Sequence, residues 1–132
     1  MSAPQRQVVI DASAVLRRLL ERSPKADEVI RRDELVAPGV IVPETLSGLV
    51  NEMRFRGLQL EAAAALLEQF LALPIELVPD AVLAGHTLGV ASELGLTAYD
   101  SGYVALALAR DVPLVTADKP LAASYLRSEL IP

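Results

Sequence analysis

The 132-residue chain has no cysteine, no tryptophan and one histidine, His86. Without cysteine there are no disulfides, no thiolate zinc sites and no cysteine nucleophile. That fits a reducing cytosol, so a cytoplasmic location is expected. A lone histidine excludes multi-histidine metal sites. No apolar h-region precedes Asp11, so no signal peptide is expected. No run reaches the ~18 apolar residues of a membrane span. The most apolar stretch, 62–73, is interrupted by Glu68 and Gln69. Positive charge is scarce as well: 12 Lys and Arg face 17 Asp and Glu, for a net charge of −5 and a pI near 4.8. This argues against a generic nucleic-acid binder with a basic face. It leaves a metal-dependent nuclease open, because bound cations reverse the local field. Basic residues cluster only locally, at Arg17, Arg18 and Arg22, at Arg31 and Arg32, and at Arg54 and Arg56.

What is present is apolar: 52% of residues are hydrophobic and the mean hydropathy is +0.38. That suffices for a core at this length and excludes disorder. With no linker, repeat or low-complexity segment, one domain over 1–132 is expected. Val8, Val9 and Ile10 read as a short buried strand, followed by a helix-period pattern over 13–22. Further helices are expected over 26–32, 41–56, 60–73, 80–94, 97–110 and 119–127. In the helix over 41–56, Val42, Leu46, Leu49, Val50 and Met53 lie near one face. Strands are expected over 35–37, 75–78 and 112–115, with a stub of edge strand over 130–132. Strands alternating with helices predict an α/β fold: a mostly parallel sheet of four to five strands flanked by about seven helices.

Four acids stand where a strand or loop feeds a helix: Asp11, Glu44, Asp100 and Asp118. Each has a plain explanation. Asp11 and Asp118 suit helix N-caps. The run from Thr97 to Asp100 resembles a capping box, and Glu44 complements a helix dipole. Together they say more. Asp11 and Asp118 follow runs that read as central parallel strands, whose carboxyl ends are neighbours. Carboxylates packed together raise each other's pKa. A hard divalent cation such as Mg²⁺ or Mn²⁺ relieves that conflict, since both prefer oxygen ligands. Ser13 and Thr116 stand beside these acids, where hydroxyls suit orientation of bound water. His86, Tyr99 and Tyr103 read as packing or surface residues, and Glu61, Glu68 and Lys119 as solvated.

These motifs resemble the PIN-domain nucleases. Val8-Val9-Ile10-Asp11-Ala12-Ser13-Ala14 is similar to the opening D-x-S motif. Val36-Ala37-Pro38 leading to Glu44 is similar to the second motif, Gly95-Leu96-Thr97-Ala98-Tyr99-Asp100 with Tyr103-Val104-Ala105-Leu106-Ala107 to the third, and Leu114-Val115-Thr116-Ala117-Asp118 to the fourth. At this length the resemblance is to the VapC toxins of toxin–antitoxin pairs. It implies a Mg²⁺- or Mn²⁺-dependent endoribonuclease that hydrolyses RNA to a 5′-phosphate and a 3′-hydroxyl. It assigns Asp11, Glu44, Asp100 and Asp118 to the acidic quartet and Ser13 and Thr116 to its hydroxyls. Asp11 and Asp100 are expected to coordinate directly, Asp118 directly or through water, and Glu44 to position water. It also implies a homodimer and a VapB-type antitoxin whose tail covers the site. Arg17 and Arg18 are candidates for gripping RNA. Two departures stand out: Ser101 and Gly102 replace the usual small apolar pair, and the final edge strand looks short or absent.

Other classes fit less well. A non-catalytic PIN-like binding module would keep the fold and cleave nothing. A phosphoacceptor receiver domain needs an acidic pair after its first strand, where Asp11 stands alone. A haloacid-dehalogenase-type phosphatase needs D-x-D there, and Asp11-Ala12-Ser13 does not supply it.

Overall fold

Short β-branched runs separated by amphipathic stretches produce a single five-stranded sheet covered by seven α-helices among the described residues, 5–21 and 23–132 of a computed structural model. Residues 1–4, the start of the segment read for a signal peptide, and Arg22 of the first basic cluster lie outside the described residues. The strands are β1 (Gln7–Ile10), β2 (Glu34–Pro38), β3 (Ile75–Val78), β4 (Leu114–Thr116) and β5 (Ser128–Leu130). The helices are α1 (Ala12–Leu16), α2 (Pro24–Arg32), α3 (Ile41–Phe55), α4 (Leu60–Leu71), α5 (Asp80–Leu94), α6 (Ala98–Arg110) and α7 (Lys119–Ser124).

All strand pairs are parallel and the spatial order is β3-β2-β1-β4-β5. The chain builds outward from β1 through β2 to β3, then returns to β1's other side with β4. The reversal lies between β1 and β4, where Ile10 pairs with Val115. In open α/β sheets, the crevice beyond the strands' carboxyl ends at such a reversal is where ligands bind. Val8, Val9, Ile10, Val36, Leu114 and Val115 are fully buried, as strands covered on both faces must be. Against them α6 packs Tyr103, Val104, Leu106 and Ala107, which makes it the most buried helix.

Several boundaries depart from the sequence reading. The helix expected over 13–22 is a short α1 that passes into a π-helical turn, Arg17–Glu21. α2 starts earlier, because Ser23 caps it by accepting from the Ala26 N–H and Pro24 occupies its first turn. The last helix stops at Ser124, well short of 127. That frees the chain to form β5 beside β4, so the edge strand is present and begins two residues earlier than expected. On α3, Ile41, Thr45 and Leu49 face the core while Leu46 and Val50 face outward, so its buried stripe is rotated from the expected face. Gly102 does not mark a close approach: an added Cβ would lie 3.9 Å from Pro38 Cγ and 4.0 Å from Thr87 Oγ1, which is ordinary contact.

At the sheet's amino-terminal edge, the Arg6 guanidinium donates to Asp33 Oδ2 at 2.7 Å and to Glu129 Oε2 at 2.5 Å. This fork ties the entries of β1, β2 and β5 together, at the end opposite the crevice. On α5, Gly85 and Gly89 have no atom within 4 Å of where a Cβ would stand. Glycine inside a helix costs about 1 kcal/mol relative to alanine. A Gly85→Ala/Gly89→Ala variant is therefore expected to raise the melting temperature by several degrees, read by circular dichroism; an unchanged or lower value would mean these positions are occupied in solution.

Candidate active site

Asp11 is the residue that ends β1 and caps α1. Its Oδ1 accepts from the Ala14 N–H at 2.9 Å and from Ser13 Oγ at 2.7 Å, and its Oδ2 accepts a short hydrogen bond from Thr116 Oγ1. Thr116 is the last residue of β4, so the β1–β4 pairing delivers it. The two hydroxyls are themselves held: Ser13 Oγ accepts from the Ala117 N–H at 2.8 Å, and Thr116 Oγ1 accepts from the Asp118 N–H at 3.0 Å. Ser13 Oγ and Thr116 Oγ1 lie 3.2 Å apart with both protons directed at Asp11. The carboxylate is only 3% exposed. Burial pushes its pKa up to about 6 and the nearby Asp118 adds to the rise, while the hydrogen bonds from Thr116, Ala14 and Ser13 oppose it.

The other acids face the same crevice. Asp118 caps α7, its Oδ1 accepting from the Leu121 N–H at 3.0 Å. Asp100 sits in the first turn of α6, where Thr97 Oγ1 accepts from the Asp100 N–H at 3.1 Å. This is the forward half of the capping box. Burial raises the Asp100 pKa, and the charge of Asp118 raises it further. Glu44 lies in the first turn of α3, and its pKa too is raised by burial and by Asp100 and Asp80. The electrostatic coupling thus runs from Asp11 to Asp118, on to Asp100, and then to Glu44. All four predicted acids and both hydroxyls come to one edge. Yet no three acidic or histidine side chains among the described residues are drawn close enough to form a ligand set. The quartet is an open row, not a closed cage.

Two residues matter more than their sequence suggested. Tyr103 was expected to serve packing alone. It is 1% exposed, and its hydroxyl donates to Glu44 Oε1 at 2.5 Å. The usable signal was its spacing: it stands three residues after Asp100, on the same face of α6. Asp80, read only as a helix start, begins α5, and its Oδ1 accepts from the Val40 N–H at 3.3 Å. It contributes a further negative charge beside Glu44. Outside Glu44 opens a groove of about 500 Å³ bordered by Pro43, Ser47, Asn51 and the exposed ring of Tyr99.

The basic residues are mostly engaged. Arg17 pairs with Glu21 at 2.5 Å and Arg18 with Asp27 at 2.7 Å. Arg56 reaches Glu52 at 3.6 Å, whereas Arg54 has no ion pair among the described residues. His86, Glu61, Glu68 and Lys119 are exposed, as expected.

A family model described as PIN domain matches residues 8–124. The chain belongs to the PIN domain family. Among solved structures it is similar to PAE2754 from Pyrobaculum aerophilum, with 28% identity, a TM-score of 0.76, and coverage of 93% of this chain and 82% of that one. It is also similar to VapBC2 from Rickettsia felis bound to a DNA fragment from their promoter, at 13% identity and a TM-score of 0.71 over 96% of this chain and 99% of that one. A third is Mycobacterium tuberculosis VapC20, described as a Sarcin-Ricin loop cleaving toxin, at 13% identity and a TM-score of 0.64 over 89% of this chain and 94% of that one. The two at 13% identity are likenesses of fold. No curated protein matches the chain. No described helix is long and apolar enough to cross a membrane.

Asp11 yields a test. Its folded pKa of about 6 lies above the value near 3.8 of a free carboxyl, so its stabilising contribution is complete below about pH 4 and is lost as pH rises through 6. Carrying it ionised at pH 7 costs the fold about 3 kcal/mol. Asp11→Asn removes the charge but puts an amide donor where an oxygen accepts from Ser13 or Thr116, so the readout is pH dependence: the melting temperature of wild type is expected to fall relative to that of the variant by about 10 °C between pH 4 and pH 7. A difference between the two that is independent of pH would contradict the assignment.

Proposed function

We propose that this chain is a Mg²⁺- or Mn²⁺-dependent endoribonuclease, the toxin component of a VapBC-type toxin–antitoxin pair. The observation that carries this reading is the row of Asp11, Asp118, Asp100 and Glu44 at the crevice between β1 and β4, in a chain of the PIN domain family. The VapB–VapC neighbours support the antitoxin partner and the toxin class. An all-oxygen donor set, in which the charges of Asp118 and Asp100 add to the rise that burial gives their neighbours, fits a hard cation that keeps several of its waters and takes one or two carboxylates directly.

Asp11, Asp100 and Asp118 would hold that ion, and Glu44 would orient the attacking water. When bound, a divalent ion supplies Lewis acidity, neutralising phosphate charge and lowering the pKa of a coordinated water. The chain's own work is positional. Ser13 and Thr116 fix both oxygens of Asp11 and leave it no freedom to turn away. The α7 cap commits Asp118 Oδ1 and leaves Oδ2 for the crevice. RNA phosphates would be met by residues able to leave weak surface pairs, Arg17 and Arg18 among them, and by Arg54, which has no ion pair among the described residues. The groove beside Glu44 would take the strand, with the Tyr99 ring available to stack on a base. Leu46 and Val50 on α3 and Val82 and Leu88 on α5 leave apolar surface uncovered, which supports a homodimer built on those helices.

The test is cleavage of a mixed RNA pool by purified, antitoxin-free protein in Mg²⁺ or Mn²⁺ against EDTA, beside Asp100→Ala. Cleavage is expected only with metal, with products ending in a 5′-phosphate, and a loss of at least about a hundredfold in the variant, the scale of a removed catalytic contact. A folded protein inert with every metal would favour the non-catalytic binding module.

A further inference from the structure

Glu44 shares no hydrogen bond with the Asp11 network among the described residues, and it lacks that network's hydroxyls. The hydrogen bond that its carboxylate makes among the described residues comes from one group, the hydroxyl of Tyr103, at 2.5 Å. That group is deeply placed. Tyr103 is among the largest fully buried side chains, and its ring packs within the core on α6. α6 also carries Asp100, one turn earlier. The phenol is therefore an anchor fixed by the core, reaching up to a carboxylate that is itself only partly buried.

We propose that Tyr103 is the positioning residue for Glu44: it commits Oε1 and thereby turns Oε2 toward the crevice and Asp100. The choice of a phenol has a physical reason. Lysine or arginine in the same place would hold Glu44 more strongly, but would add a positive charge inside the acidic row and compete with a cation for it. Tyrosine donates one hydrogen bond and stays neutral. Burial favours the protonated phenol, and the hydrogen bond to Glu44 and the charges of Glu44 and Asp11 act in the same direction. The row keeps its full negative charge while Glu44 loses its rotational freedom. Tyr103 also lies close enough to Asp11 to feel its charge.

This inference rests on the proposed metal-dependent nuclease, and it is tested by metal binding, a readout separate from cleavage. Mn²⁺ alone is titrated into wild type, Tyr103→Phe, Glu44→Gln and the double variant, and free Mn²⁺ is followed by electron paramagnetic resonance. Tyr103→Phe keeps the packed ring and removes only the hydroxyl, so its melting temperature is expected to stay near wild type. Its Mn²⁺ affinity is expected to fall about 10- to 100-fold, as when a residue that orients a metal ligand is removed. In the Glu44→Gln background the same change is expected to cost nothing further, because Tyr103 acts through Glu44. Wild-type affinity in Tyr103→Phe, or losses that multiply in the double variant, would overturn the proposal. So would a wild type that binds no Mn²⁺. Failure of the two readings is distinguishable. A protein that binds Mn²⁺ with this pattern but cleaves no RNA would sink the nuclease and leave the positioning role standing. One that cleaves RNA while Tyr103→Phe binds Mn²⁺ normally would do the reverse.

Discussion

The site depends on keeping one carboxylate, Asp11, out of water between the carboxyl ends of β1 and β4. An ionised carboxylate in such a place is costly, and the cost is met by three donors that the fold brings to it. One, the Ala14 N–H, comes from the helix that Asp11 caps. The second, Ser13, comes from that helix's first turn. The third, Thr116, arrives only because β4 returns to pair with β1. A register slip of one residue in that pairing would swing Thr116 to the other face of the sheet and leave Oδ2 without its partner. The parallel pairing and the acid's environment are thus one constraint. The raised pKa that remains after all three hydrogen bonds shows that the fold does not fully offset the burial. Such residual cost concentrates where a protein trades stability for chemistry.

Burial is graded along the row. Asp11 is sealed, Asp118, Asp100 and Glu44 are partly open, and Asp80 at the outer end is exposed. The buried end is fixed by hydroxyls and backbone amides, which hold position without adding positive charge. The open end is fixed by the phenol of Tyr103. Cationic side chains are kept elsewhere: Arg6, Arg17, Arg18, Arg32 and Arg110 all pair with acids outside the row. The acidic field of the crevice is therefore left to be neutralised from solution. That arrangement suits a protein of net charge −5 whose proposed substrate is a polyanion, because a cation can attract what the bare protein would repel.

The fold class was legible because buried parallel strands leave continuous apolar runs and their crossover helices leave a period of 3.6. The acids were legible because each stands where a strand or loop feeds a helix, and two of them follow strands that read as neighbours at the centre of a parallel sheet. Other features were hidden for physical reasons. β5 was misplaced because an edge strand of three residues carries little apolar pattern. The rotation of α3 was obscured because its buried stripe contains Thr45, while the apolar Leu46 and Val50 face out. Tyr103 read as packing because it is packing; its ring is in the core and only its oxygen serves the site. A side chain with two environments cannot be resolved by spacing alone.

Capping and the proposed catalytic roles are not competing explanations for these acids; one makes the other possible. Asp11 and Asp118 are N-caps, and Asp100 and Glu44 lie in first turns. Four helix N-termini therefore aim at one crevice. Each presents unpaired N–H groups and a partial positive charge, up to about half an elementary charge for a full helix. α1 and α7 are too short to give that much, but α3, at 15 residues, and α6, at 13, come close to it. This converging polarity offsets part of the repulsion among the carboxylates before any cation arrives. It explains how a chain can fold with its acids gathered. The offset is partial: the pKa values of Asp11, Asp100 and Glu44 remain raised, by burial first and by neighbouring carboxylates in addition. The proposed divalent ion would draw on what repulsion is left, so the more completely the helices neutralised the row, the less there would be to bind.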